Sequence, residues 1–198
     1  AGCDVLFLPS VTEMYPSGTE NTEKYDLGYL ETILEGKFRP GHFQGVCMVV
    51  HRLLNIIPAD ILFLGQKDYQ QCMVLKKLIE LKQLNTKISI CPTLREKDGL
   101  AMSSRNVRLT EEGRKQALKI YENLSFLKSN IKPGDLTPLK ESGIKHLTNA
   151  GFKVDYFEIA NAENLELLNS WDGKIKTVGL TAAFQGEVRL IDNMLLQD

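Results

Sequence analysis

Ile61-Leu62-Phe63-Leu64-Gly65-Gln66-Lys67-Asp68-Tyr69-Gln70-Gln71 is the stretch on which the reading of this chain turns. Four apolar residues after Asp60 predict a short buried strand, and the polar run after Gly65 predicts the turn that opens the next helix. In open α/β sheets, ligands collect outside the carboxyl ends of the strands. A helix start there offers an anion free N–H groups and a positive dipole end. At such a rim Lys67 adds a full positive charge, Asp68 an acceptor for hydroxyls, and Gln71 a side chain one turn further in. A plainer reading exists. Asp68-Tyr69-Gln70-Gln71 has the spacing of a capping box, in which Asp68 and Gln71 would only close the helix. The stretch alone leaves both readings open.

Upstream, Arg39-Pro40-Gly41-His42 introduces Phe43, Val46, Cys47, Val50, Leu53, Leu54 and Ile57 at helical spacing, with Pro58 as the stop. This predicts a largely buried helix before the strand. A helix over 68–84 follows the strand, turning Cys72, Leu75, Leu78, Ile79 and Leu84 inward, and a second strand covers 88–91. At the front, Val5-Leu6-Phe7-Leu8-Pro9 reads as another strand, 9–22 as a loop, and 24–35 as a short helix stopped by Gly36. Strand, helix, strand, helix, strand is the pattern of a parallel sheet with right-handed crossovers. Three strands alone would leave an edge and a helix layer poorly covered, so the sheet reads as partial.

Beyond the last of these strands lies Pro92-Thr93-Leu94-Arg95-Glu96-Lys97-Asp98-Gly99-Leu100-Ala101-Met102-Ser103-Ser104-Arg105-Asn106. Two adjacent hydroxyls followed by Arg fit a phosphate clamp, since Arg can bind two oxygens at once. An ordinary polar linker has the same composition. Both polar clusters follow successive strands of one sheet, which would place them at the same rim and favours the functional reading.

From Thr110 the character changes. Thr110-Glu111-Glu112 starts a helix to about 128, Thr137-Pro138 starts another that Gly151 closes, and 152–160, 174–182 and 187–191 read as strands, the last two a hairpin through Phe184-Gln185-Gly186. The expected fold is therefore α/β: a partial Rossmann-like parallel sheet over 1–92, then a small α+β domain over 93–198. With 198 residues, 43% hydrophobic and 25% charged, and a net charge of −1, the chain can bury a sizeable core. Nothing in that charge favours nucleic acid or an anionic membrane as partner. Cys3, Cys47, Cys72 and Cys91 are scattered, suggesting reduced thiols and neither a zinc site nor a disulfide framework. The apolar runs are too short to span a bilayer.

Three long motifs carry a resemblance. Glu35-Gly36-Lys37-Phe38-Arg39-Pro40-Gly41-His42-Phe43-Gln44-Gly45-Val46, then 63–71, then 95–106 closely resemble, in order and spacing, the pantothenate synthetase family of pantoate–β-alanine ligases. The likeness continues through Gly186-Glu187-Val188-Arg189-Leu190-Ile191-Asp192-Asn193. It implies a nucleotidyltransferase-type Rossmann domain with a smaller lid domain, in a cytoplasmic homodimer that uses ATP, with Mg2+ bound through the ATP phosphates. The implied reaction joins pantoate to β-alanine through a pantoyl adenylate, releasing pyrophosphate and then AMP. By motif, Gly65, Gln66, Lys67 and Asp68 would line the ATP site, with Asp68 at the ribose and Lys67 near the phosphates. Gln71 would hold pantoate, the Leu94 backbone would meet adenine, and Met102, Ser103, Ser104 and Arg105 would form the phosphate loop. Lys67, Ser103, Ser104 and Arg105 are the expected catalytic groups. His42 is expected to be structural, and His51 and His146 to be surface or packing residues. The family begins with a further segment of about 80 residues, enough for two or more βα units, that carries a His-x-x-His motif. Its absence from the sequence read here implies half an ATP site and a catalytically poor fragment. Another acid substrate within the same superfamily, or a non-catalytic binding module, are the competing readings.

Overall fold

The structure is a computed structural model that describes residues 2, 4–18 and 23–197, so Cys3 and the end of the expected loop, 19–22, lie outside the described residues. In chain order the elements are α1 (Val11–Met14), α2 (Leu34–Phe38), α3 (His42–Ile56), β1 (Ile61–Gly65), α4 (Tyr69–Lys82), β2 (Lys87–Cys91), α5 (Glu111–Asn130), β3 (Gly134–Asp135), α6 (Thr137–Asn149), β4 (Lys153–Asn161), β5 (Ser170–Trp171), β6 (Thr177–Gln185) and β7 (Val188–Leu195). The fold is the mixed α/β arrangement expected, a parallel pair followed by a small antiparallel sheet.

β1 and β2 pair in parallel from Ile61 opposite Lys87 to Gly65 opposite Cys91, with α4 as the crossover and α3 packed on α4. The strand is not buried on both sides as expected. Leu62 and Leu64 pack on the core, while Ile61 and Phe63 are 46% and 66% exposed. Side chains alternate along a strand, and here helices cover one face only. Leu54, Cys47 and Phe43 are the buried positions of α3, and Ile57 is exposed, so that helix is half-buried rather than largely buried.

The front of the chain differs most. Residues 5–8 form no strand, and Val5, Leu6 and Leu8 are exposed, because a strand needs a ladder partner and β1 pairs only with β2 among the described residues. The expected loop after Pro9 contains α1, closed by a capping box between Ser10 and Glu13. The single helix expected over 24–35 is instead a 3-10 turn (Gly28–Glu31) followed by α2. Leu34, at φ 43°, breaks the run. Gly36 lies inside α2 rather than ending a helix, and an added Cβ would meet the Glu31 carbonyl oxygen at 2.4 Å. That close approach admits only glycine.

Downstream, the expected helices form. Thr110 Oγ1 accepts the Gly113 N–H at 3.0 Å at the start of α5, and Pro138 sits in the first turn of α6. β4 and β6 have the expected length but lie further toward the carboxyl end than expected, and β7 runs on to Leu195 rather than stopping at 191. The sheet is antiparallel in the order β4-β6-β7, and β6 and β7 form the hairpin around Gly186 at φ 56°. β3 and β5 add a short pair. One apolar cluster joins α5 and α6 to this sheet through Ile120, Leu124, Leu127, Leu147 and Phe157. The other joins α3 and α4 to Ala160, Val178 and Leu180, so the antiparallel sheet also packs against the first half of the chain. This packing brings the end of β7 to the turn after β1.

Candidate active site

Gly65 ends β1 in extended conformation, and a 3-10 turn (Gln66–Asp68) leads into α4. Asp68 occupies the N-cap position but makes no side-chain capping bond, so the capping box does not form. Its carboxylate lies 3.8 Å from Lys67 Nζ instead, with the Asp68 side chain about half exposed. Asp68 and Gln71 are thus left to face a narrow cleft, which Lys67, Glu35, Arg39 and His42 also line.

The second loop is a small hairpin. Arg95 bridges Ala101, the Glu96 N–H donates to the Leu100 carbonyl at 2.8 Å, and the Met102 N–H to the Leu94 carbonyl at 2.9 Å. It presses on α5, since a Cβ on Gly99 would meet the Tyr121 ring at 2.2 Å. Ser103 Oγ accepts the Arg105 N–H at 3.2 Å, opening a 3-10 turn (Ser104–Arg108), and Arg105 Nη1 donates to the Arg189 carbonyl at 3.3 Å. Ser103 and Arg105 line a second narrow cleft together with Lys67.

Lys67 therefore stands where the two clefts meet. The structure brings Lys67, Ser103 and Arg105 to one cleft and Lys67, Asp68 and Gln71 to the other. Ser104 and, at 72% and 49% exposure, Leu94 and Met102 line neither cleft. Gln66 turns its amide toward Asn193, donating to Oδ1 at 3.2 Å. His42 lines the first cleft with Nε2 2.9 Å from Arg39 Nη1, beside Phe43. Burial and then the Arg39 charge push its pKa below the usual 6.5. His51 is a packing residue, 3.1 Å from the Tyr25 hydroxyl.

One charged group escaped the sequence reading. Arg189 donates to both Glu35 carboxylate oxygens at 2.8 and 2.7 Å and to Asp155 Oδ2 at 2.7 Å, while the Tyr156 hydroxyl donates to Glu35 Oε1 at 2.9 Å. Burial alone would raise the Glu35 carboxyl; the Arg189 and Tyr156 bonds outweigh it and hold it below 4.5. Glu35 and Arg189 both occur in the motifs quoted above, but nothing in their spacing pairs residues so far apart in sequence.

Chemically, a lysine and an arginine converging with a serine hydroxyl suit a phosphate-bearing ligand, and the adjoining cleft offers polar groups for a second one. Among the described residues no three His, Cys, Asp or Glu side chains form a group that could hold a metal ion, and no helix is long and apolar enough to cross a membrane. Cys47, Cys72 and Cys91 are free thiols.

Comparison with known proteins gives concordant results. The family model described as pantoate-beta-alanine ligase matches residues 1–195. Pantothenate synthetase of Cytophaga hutchinsonii is 41% identical over 199 residues, covering 99% of this chain and 70% of that protein. The crystal structure of pantothenate synthetase from Thermus thermophilus superposes with a TM-score of 0.88 at 36% identity, over 100% of this chain and 71% of that one. The pantoate-beta-alanine ligase of Francisella tularensis, crystallised with beta-gamma ATP and beta-alanine, gives a TM-score of 0.70 at 36% identity, over 94% of this chain and 62% of that one.

Proposed function

The chain belongs to the pantoate-β-alanine ligase family, and from that premise we propose how its residues divide the work. The activity is ATP-dependent ligation of pantoate to β-alanine. A pantoate carboxylate oxygen attacks the α-phosphorus of ATP and pyrophosphate leaves. The β-alanine amine then attacks the acyl carbon, and AMP leaves with the bonding electron pair. In our reading Lys67 and Arg105, with the Ser103 and Ser104 hydroxyls, offset the negative charge that gathers on the phosphates in the first step. Asp68 accepts from the ribose hydroxyls, Gly65 and Gln66 shape the nucleotide floor, and the Leu94 backbone and Met102 flank adenine. Gln71 orients pantoate in the cleft that Lys67 shares.

The observation that carries this reading is the place of Lys67 at the junction of the two clefts, with Gln71 in one and Ser103 and Arg105 in the other. A group there can touch the phosphate and the carboxylate at once. Mg2+ would ride on the ATP phosphates, which suits a site whose described residues form no carboxylate cage. We further assign the chain a cytoplasmic homodimer and a division near residue 92 into nucleotide-binding and lid parts.

The test is pantoate-dependent ATP–pyrophosphate exchange by the enzyme at its full natural length. Lys67→Ala and Arg105→Ala are each expected to slow exchange by about 100-fold, the usual loss of one charge-stabilising donor. Exchange within about threefold of the unmodified enzyme in both variants would overturn the assignment, since a removed donor costs far more than that.

A further inference from the structure

β7 carries two consecutive buried polar residues near its carboxyl end, Asp192 and Asn193, 4% and 2% exposed. Successive side chains of a strand point to opposite faces, so one strand end can reach two loops. Asn193 Nδ2 donates to the Gln66 carbonyl at 2.9 Å and to the Lys67 carbonyl at 2.8 Å, and Oδ1 accepts from Gln66 Nε2 at 3.2 Å. Asp192 accepts two bonds from Arg95, at 2.7 and 3.0 Å, and the Asn193 N–H at 2.8 Å. Arg95 donates further to the carbonyls of Asn193 at 3.1 Å and Gly99 at 3.0 Å, and its guanidinium lies over the Tyr121 ring at 4.8 Å. The side chains of this dipeptide thus bond to the turn that carries Lys67 and to the base of the loop that carries Ser103 and Arg105.

We propose that Asp192 and Asn193 are positioning residues for the adenylation step, clamping the Lys67 turn and the 95–105 loop at a fixed separation. The proposal rests on the reading of Lys67 and Arg105 given above. Both residues border the clefts, and their side chains are engaged by the two loops. Asn193 fixes the carbonyls of Gln66 and Lys67 in the turn, and Asp192 fixes Arg95, from which the hairpin runs to Ser103. Reacting groups must sit within a few tenths of an ångström of productive geometry, and a displacement of about 1 Å costs on the order of 100-fold in rate.

Asn193→Asp keeps the side chain's size but removes the donors to both carbonyls. In single-turnover adenylation by the full-length enzyme it is expected to lower the rate by about 10- to 100-fold. In a Lys67→Ala background the same change is expected to cost less than about threefold, because a residue acting through Lys67 has nothing left to position. Asp192→Asn, which still accepts from Arg95, is expected to lose about 10-fold. Because Asp192 acts through the loop that carries Arg105, its cycle is run against Arg105→Ala, where it is expected to cost less than about threefold, and it serves if Asn193→Asp fails to fold in urea titration. Wild-type rates in both single variants would overturn the proposal and leave the Lys67 reading intact. Losses that multiply, for Asn193→Asp with Lys67→Ala or for Asp192→Asn with Arg105→Ala, would mark a merely structural role and also overturn it. A fully active Lys67→Ala would instead remove the functional reading, and the proposal with it.

Discussion

Replacing Arg189 by Met would strip two carboxylates of their common partner. The side chains of Arg189, Glu35 and Asp155 are only 14%, 11% and 10% exposed, so little water is available to take over. Removing one partner of a buried ion pair costs about 3–5 kcal/mol. Tyr156 still donates to Glu35, which places the expected loss at the lower end, about 3 kcal/mol. For a chain of this size that corresponds to a fall of roughly 6–12 °C in Tm. The triple variant Arg189→Met, Glu35→Gln, Asp155→Asn removes the orphaned charges as well and is expected to recover at least half of the loss. Urea unfolding read by circular dichroism and fluorescence together measures both. The pH dependence supplies an independent sign. With its pKa held below 4.5, Glu35 contributes stability that is present above 4.5 and lost as pH falls through the folded value. Without Arg189 the largest influence lowering the Glu35 carboxyl is gone, so the gap between the two proteins is expected to narrow on acidification. A single variant within about 1 kcal/mol of the parent, well short of the cost of an unpaired buried charge, or a triple variant no better than the single, would refute the reasoning.

Two further outcomes are expected. Gly99→Ala, at φ 99° and facing the Tyr121 ring, is expected to lose about 1–3 kcal/mol in urea unfolding and to disturb the loop that carries Ser103 and Arg105. His42 and His51, both lowered by burial first and by a neighbouring cation second, are expected to titrate below 6.5 in proton NMR. The unfolded chain then binds more protons than the folded one just below pH 6.5, so these groups make stability fall as pH drops through that window. Asp192, raised by burial despite Arg95, works in the opposite direction nearer pH 4.

What could be read from sequence follows from the range of each signal. Helical spacing from Phe43 to Leu54, the Thr110 cap and the Pro138 start are local, and each appears where expected. So is the β6–β7 hairpin. Both polar clusters were legible because each follows a β strand, and the parallel pairing of β1 with β2 accounts for their meeting at one rim. Residues 5–8 look like a strand locally, but a strand is a property of a pair. Asp68 and Gln71 have capping-box spacing, yet Asp68 makes no side-chain capping bond and both residues line the cleft. The Glu35–Arg189 group joins residues 154 positions apart, and the Asn193–Lys67 contact residues 126 apart. Such pairs are set by how α2 and the turn after β1 meet β7, and no periodicity announces them.

The most direct test of the central claim is an ATP titration followed by backbone amide NMR. The amides of 65–71 and of 102–105 are expected to shift together with one dissociation constant, and both sets of shifts to weaken in Lys67→Ala. Shifts confined to the open groove between Leu27 and Glu80, with 65–71 and 102–105 unmoved, would contradict it.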